Sequence, residues 1–171
     1  MKLKLLLLCL LCLAFADVSA QQKRAFLVGI SHYDTALTGY QWNNINGVED
    51  VNLLCPLLKK QGFQNTSLLD EQATYDNITR QLSAFIKATK KGDIVYLHFS
   101  THGQPVEDQN GDEEDGWDEA IVPIDAYKMY KKGSYEGKKH FLDDQLNVYV
   151  QQLRKKIGNK GFLYVVIDAC H

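Results

Sequence analysis

Little in this sequence is one-sided or repetitive. It has no low-complexity tract, and 19 basic residues against 21 acidic ones leave a formal net charge of −2 over 171 residues. That balance argues against a nucleic-acid partner. No apolar run is long enough to span a membrane comfortably. The longest, residues 5–16, follows Lys2 and Lys4 and precedes Val18-Ser19-Ala20. A basic start, a short apolar stretch and small residues form the pattern of a secretory signal peptide. Residues 1–20 are therefore expected to be cleaved, leaving a domain over 21–171 that is exported, to a secreted or periplasmic location, with no membrane span of its own.

Cysteine is scarce as well. Cys9 and Cys12 fall in the leader, so only Cys55 and Cys170 belong to the domain. One disulfide between them is the bland reading for an exported protein. Against it, Cys55 lies on the apolar stripe of a helix and Cys170 at the end of a strand. Setting aside Lys2, Lys4 and Asp17 leaves 17 basic and 20 acidic residues, a mildly acidic domain.

What is present is a core. Hydrophobic residues make up 45% of the chain, enough for one domain. Residues 25–30 (AFLVGI) read as a buried strand. Val48, Val51, Leu54, Cys55 and Leu58 recur at helical spacing up to Gly62, with Pro56 an awkward interruption. A short strand over 66–69 leads to a second helix carrying Ile78, Leu82, Phe85 and Ile86. Residues 94–99 form a strand buried on both faces, ending in Ser100-Thr101-His102-Gly103.

After it comes a loop with eight acids in the thirteen residues 107–119, then a brief apolar segment over 120–124. Residues 127–139 are a basic excursion expected to be exposed. A third helix starts at Asp143-Asp144 and carries Leu146, Val150, Leu153 and Ile157. Residues 162–167 are the last strand, ending in Asp168-Ala169-Cys170-His171. This alternation predicts an α/β fold, a mostly parallel central sheet with helices on both faces.

Two buried strands thus end in His102 and in Cys170, at the sheet edge where open α/β sheets place their chemistry. A thiol with an ordinary pKa near 8.5 is a poor nucleophile at neutral pH, and an imidazole can take its proton and later protonate a leaving amine. Strand alternation puts Asp168 and Cys170 on one face and His171 on the other. His98 reads as a packed core histidine, and His32 and His140 as exposed loop residues. Spacing alone leaves the His102–Cys170 pair open against a structural role for both.

The segments YLHFSTHGQ, DQNGDEEDGWDEAIVPIDA, FLDDQLN and FLYVVIDACH, in this order, resemble the catalytic domain of type I metacaspases, within the caspase-like cysteine peptidases. The resemblance runs from about Lys23 to the last residue and implies a caspase-like three-layer sandwich. It implies a cysteine endopeptidase acting through an acyl-enzyme, with His102 as general base and acid and Cys170 as nucleophile. The N–H groups of Gly103 and Cys170 are then expected to stabilise the oxyanion. Asp168, Asp50 and Ser100 match the pocket that receives arginine or lysine before the scissile bond of a peptide or protein substrate. A carboxylate there attracts a cation and repels an acid. No cofactor is needed for the chemistry. Calcium is implied as an activator, through Asp115, Asp118, Asp143 and Asp144.

The acidic loop has a second reading. Asp108, Asn110, Asp112 and Glu119 fall at EF-hand positions, but Glu113 stands where that loop needs glycine. The sequence also departs from the family. Thr101 replaces the glycine common before the histidine, and the family continues past the cysteine with more strands, whereas this chain stops at His171. Three explanations of that end compete: a fragment of a longer precursor, which is favoured, a large subunit left by processing, or an incomplete gene; the domain is then the large-subunit part, its partner the C-terminal part of the same precursor, with little activity expected alone. A terminal carboxylate beside the thiol disfavours the thiolate. The rival classes are a non-catalytic caspase-like module that binds or regulates a partner, and a calcium-binding structural domain.

Overall fold

The computed structural model describes residues 21–33, 42–108, 110–129 and 131–170. The expected leader and His171 lie outside the described residues.

The apolar runs over 25–30, 66–69, 94–99 and 162–167 become strands. β1 (Lys23–Gly29), β2 (Phe63–Leu69), β3 (Ile94–Ser100) and β7 (Phe162–Asp168) form one parallel sheet in the order β2-β1-β3-β7. Three helices cross over between them: α1 (Gly47–Lys60), α2 (Tyr75–Ala88) and α3 (Asp143–Ile157). α1 runs through Pro56 without ending there. Thr74 opens α2 by accepting the amide of Asn77 through its side chain.

Strand alternation divides the core in two. On one face, Ala25 and Leu27 pack against Val51 and Leu58 of α1. On the other, Phe26, Val28, Val95, Leu97 and Phe99 meet the buried stripes of α2 and α3. Helix, sheet, helix is the three-layer sandwich of the caspase-like fold.

A second sheet was not legible as such. β4 (His102–Glu107), β5 (Trp117–Val122) and β6 (Phe141–Leu142) pair antiparallel in the order β4-β5-β6. The acidic stretch is the connection between β4 and β5. β4 is only half buried and contains Pro105, so the alternation that marks a strand is faint there.

β7 pairs with β3 on one side, and among the described residues nothing pairs with its other edge. Phe162, Tyr164, Val165, Val166 and Ile167 are all exposed, so both faces of this strand are open.

Candidate active site

The parallel strands end flush. Gly29, Ser100 and Asp168 are in register across β1, β3 and β7, so their side-chain positions share one face at the carboxyl edge of the sheet. The start of α1 is driven against this edge. A β-carbon on Gly47 would lie 2.2 Å from the Ser100 carbonyl oxygen, and one on Gly29 would lie 2.3 Å from the Gly47 oxygen. Only two glycines allow that approach. Asp50, one turn into α1, is thereby placed over the sheet edge, and the Ser100 hydroxyl donates to its Oδ2 at 2.7 Å. Asp50, Ser100 and Asp168 are brought together.

Past the strand ends, β3 and β7 stay joined. The Thr101 amide donates to the Asp168 carbonyl at 3.2 Å, and the Thr101 hydroxyl donates to the His102 carbonyl at 2.9 Å. Gly103 then lies against the backbone of Cys170: a β-carbon there would fall 1.7 Å from the Cys170 carbonyl oxygen. The backbones of His102-Gly103 and Cys170 therefore meet. Cys170 is exposed, and it and Cys55 are both free thiols. Among the described residues no hydrogen bond joins the His102 ring to the Cys170 thiol.

The His102 ring sits in an aromatic cradle that sequence spacing did not reveal. It stacks on Trp42 at 4.9 Å and 25°, and lies 4.8 Å from the Tyr33 ring. Its Nε2 is 2.7 Å from the Asn43 carbonyl oxygen. A carbonyl can only accept, so this contact fixes the proton on Nε2 and leaves Nδ1 as the basic nitrogen. The Tyr33 hydroxyl accepts the His102 amide at 3.0 Å and donates to the Val122 carbonyl at 2.8 Å. Burial pushes the Tyr33 phenol well above its ordinary range, so it remains a donor. Trp42 is held in turn by its indole N–H on the Ala126 carbonyl at 2.9 Å. The only sequence signal for this cradle is that Tyr33 and Trp42 are two of three large aromatics in a loop rich in polar residues.

The histidines divide otherwise than expected at one position. His32 is 67% exposed by its side chain, and His98 is buried, both as read. His140, expected in solvent, is buried at 6% exposure between the Tyr135 hydroxyl at 2.9 Å and Gln104 Oε1 at 2.9 Å. The loop preceding it folds back over β4, so Tyr135 is buried as well.

The acidic connection closes on itself. Asp108 accepts the amides of Asn110, Gly111 and Glu113, and its carboxylate lies with those of Asp112 and Asp118 within 4.8 Å of one another. Asp118 is buried, with no partner for Oδ1, and Asp143 Oδ1 is likewise buried and unpartnered. Burial, then the charges of Asp108, Asp143, Asp144 and Asp112, push Asp118 above the usual aspartate range. Asp115 stands apart on an exposed turn, where it accepts the Trp117 amide at 3.1 Å. Asp143 and Glu119 also line a cavity of about 220 Å³ shared with Ala169 and Cys170, so the acid cluster adjoins the thiol.

Comparison with known proteins agrees with this geometry. A family model described as metacaspase, peptidase C14 domain, matches residues 23–171. The chain is 32% identical over 162 residues to Metacaspase-1B of Aspergillus fumigatus, covering 88% of this chain and 35% of that protein. It is 31% identical over 161 residues to Metacaspase-2 of Arabidopsis thaliana, covering 88% and 34%. The chain thus spans about a third of the length of the curated relatives it matches. Among solved structures, protein GSU0716 from Geobacter sulfurreducens superposes with a TM-score of 0.67 at 25% identity, over 88% of this chain and 51% of that one.

Proposed function

The chain belongs to the metacaspase family, peptidase C14 domain, and from that membership we propose that it carries the catalytic centre of a cysteine endopeptidase that cuts after arginine or lysine. The observation that carries this reading is the meeting of the His102-Gly103 backbone with that of Cys170 at the flush strand ends.

In the proposed reaction the Cys170 thiol gives its proton to His102 Nδ1, and Sγ bonds to the scissile carbonyl carbon. The oxyanion is held by the N–H groups of Gly103 and Cys170. As the C–N bond breaks, the imidazolium returns the proton to the leaving amine. A water, deprotonated by the same nitrogen, then hydrolyses the thioester. Asn43 and Trp42 keep the ring in one tautomer and one orientation throughout. Asp50, Ser100 and Asp168 form the cation pocket: two carboxylates, one already ordered by a hydroxyl, favour a guanidinium or ammonium over an acid.

The acid cluster fits a hard divalent cation. Its donors are carboxylate oxygens, two of them buried and without partners, as calcium prefers. We propose that Asp118, Asp143 and Asp144 hold it, and that Asp115, apart on its exposed turn, does not. The ion supplies positive charge that relieves the repulsion among these acids. The chain of residues 1–171 alone is proposed to have little activity, on the open faces of β7 and the greater length of its relatives. Export is proposed from the leader-like residues 1–20. An amino terminus at Gln21 on the secreted protein, read by mass spectrometry, is the expected result, and an intact leader overturns it.

The test of the peptidase is release of a fluorophore from an arginine-linked peptide by the full-length protein. Loss of release in Cys170→Ala, with an aspartate-linked peptide untouched by the parent, is expected. Equal rates for parent and variant would sink the reading.

A further inference from the structure

One titratable group on the face of the cation pocket has no assigned task. His98 precedes Ser100 by two residues on β3, so its side chain points the same way. Its in-register neighbours are Leu27 on β1 and Val166 on β7, which makes Asp168 its diagonal neighbour. The residue is 8% exposed, and both ring nitrogens are buried without a hydrogen-bond partner. Its ring lies nearly parallel to that of Tyr96, at 13° and 6.3 Å. Leaving a polar group unpaired in a protein interior is destabilising. A phenylalanine would pack on Tyr96 without that cost.

The groups that face His98 define its electrostatics. α1 presents Asp50, β7 presents Asp168, and its own strand presents the Tyr96 ring, whose far neighbour is Tyr164. β1 presents only Leu27. Burial holds the imidazole below the ordinary histidine range, while Asp168 and then Asp50 pull the other way. Near neutral pH the ring is therefore uncharged and adds no positive charge beside Asp50 and Asp168.

We infer that His98 is a positioning residue of the cation pocket: neutral, it leaves Asp50 and Asp168 to the basic side chain of a substrate, and protonated, it becomes the cation that occupies them. The inference rests on the reading of Asp50, Ser100 and Asp168 as that pocket. A proton on His98 and a guanidinium compete for the same two charges, so each weakens the other's binding. Below the pKa of His98 the dissociation constant of a cationic ligand rises by as much as about tenfold per pH unit.

The experiment uses the full-length protein carrying Cys170→Ala and His102→Gln, so that the catalytic imidazole does not titrate beside the pocket. Binding of N-acetyl-arginine amide is measured by calorimetry at about pH 7.5 and about pH 5, above the ordinary carboxylate range. A loss of affinity at the lower pH is expected. His98→Phe, which keeps the ring stack, and His98→Gln, which keeps polarity without a titrating ring, should each hold affinity within about twofold across that range. If His98→Phe prevents folding, seen as loss of a cooperative melt, His98→Gln carries the comparison. The same weakening in the folded variants as in the parent overturns the role of His98 alone. Failure of the arginine amide to bind at about pH 7.5 overturns the cation pocket, and the inference with it.

Discussion

The backbone of Gly103 is seated on the backbone of Cys170 so closely that a single added methyl group has no room: its carbon would lie 1.7 Å from the Cys170 carbonyl oxygen. The contact is backbone to backbone, so no side-chain rotation relieves it. Gly103→Ala is expected to move the thiol by a sizeable fraction of an ångström and to lower kcat/KM of the full-length protein by about 100-fold or more. Hydrolysis of an arginine-linked peptide measures it, and near-parent activity would contradict the close seating.

The Tyr33 hydroxyl bridges the His102 amide and the Val122 carbonyl, tying the start of β4 to β5. Tyr33→Phe keeps the ring and leaves two buried groups unpaired. A loss of about 1–2 kcal/mol in urea denaturation is expected, together with a fall in kcat larger than any change in KM. Unchanged stability would mean that the bridge contributes nothing.

The exposed pair of His32 and Asp70 gives a pH signature. The hydrogen bond to Asp70, at 3.0 Å, and its charge raise His32 above the ordinary histidine value. Burial raises Asp70, but the His32 amide, the His32 ring and the Ser31 amide outweigh it and hold Asp70 below its ordinary value. A raised histidine stabilises fully below its unfolded pKa, about 6.5, and loses that contribution as pH climbs through the folded value. A depressed aspartate stabilises above about 3.9 and loses it as pH falls through its folded value. The pair should therefore contribute most between about pH 4 and about pH 6.5. Melting curves of parent and His32→Gln are expected to differ in that window and converge toward about pH 8 or above. A constant gap across the range would exclude the pairing.

Asp118 is the reverse case. Its raised pKa means that the cost of ionising it in the fold is absent below about pH 3.9 and grows as pH rises through the folded value. Without calcium, Asp118→Asn should melt about 2–4 °C higher at neutral pH. With calcium added, the parent should gain stability and the variant should not, whereas Asp115→Asn should respond like the parent. A calcium shift retained in Asp118→Asn would remove Asp118 from the site.

Much of this was legible before any coordinates. The three helices and the four parallel strands follow from apolar stripes and runs, because burial against a sheet leaves a periodic trace in the sequence. His98 shows as a core residue for the same reason. The antiparallel sheet left no such trace: β4 is half buried and broken by Pro105, and β6 has two residues. The Tyr33 bridge to His102 spans 69 residues, and a contact of that range has no local signature. His140 was misplaced for a related reason, since Gln104, 36 residues away, supplies half of its burial site. Asp108 and Asp112 join Asp118 only because the connection between β4 and β5 folds back on itself.

Gly47 has no side chain, yet the place of a carboxylate at the sheet edge is set through it. Its absent β-carbon lets the helix start rest on the Ser100 carbonyl, which fixes where the next turn delivers its carboxylate. A methyl group there would act as a wedge, lifting the whole rod and parting Asp50 from the serine, while every atom that touches a ligand kept its chemical identity. The proposed cation pocket is thus vulnerable at a position that offers a substrate nothing to bind.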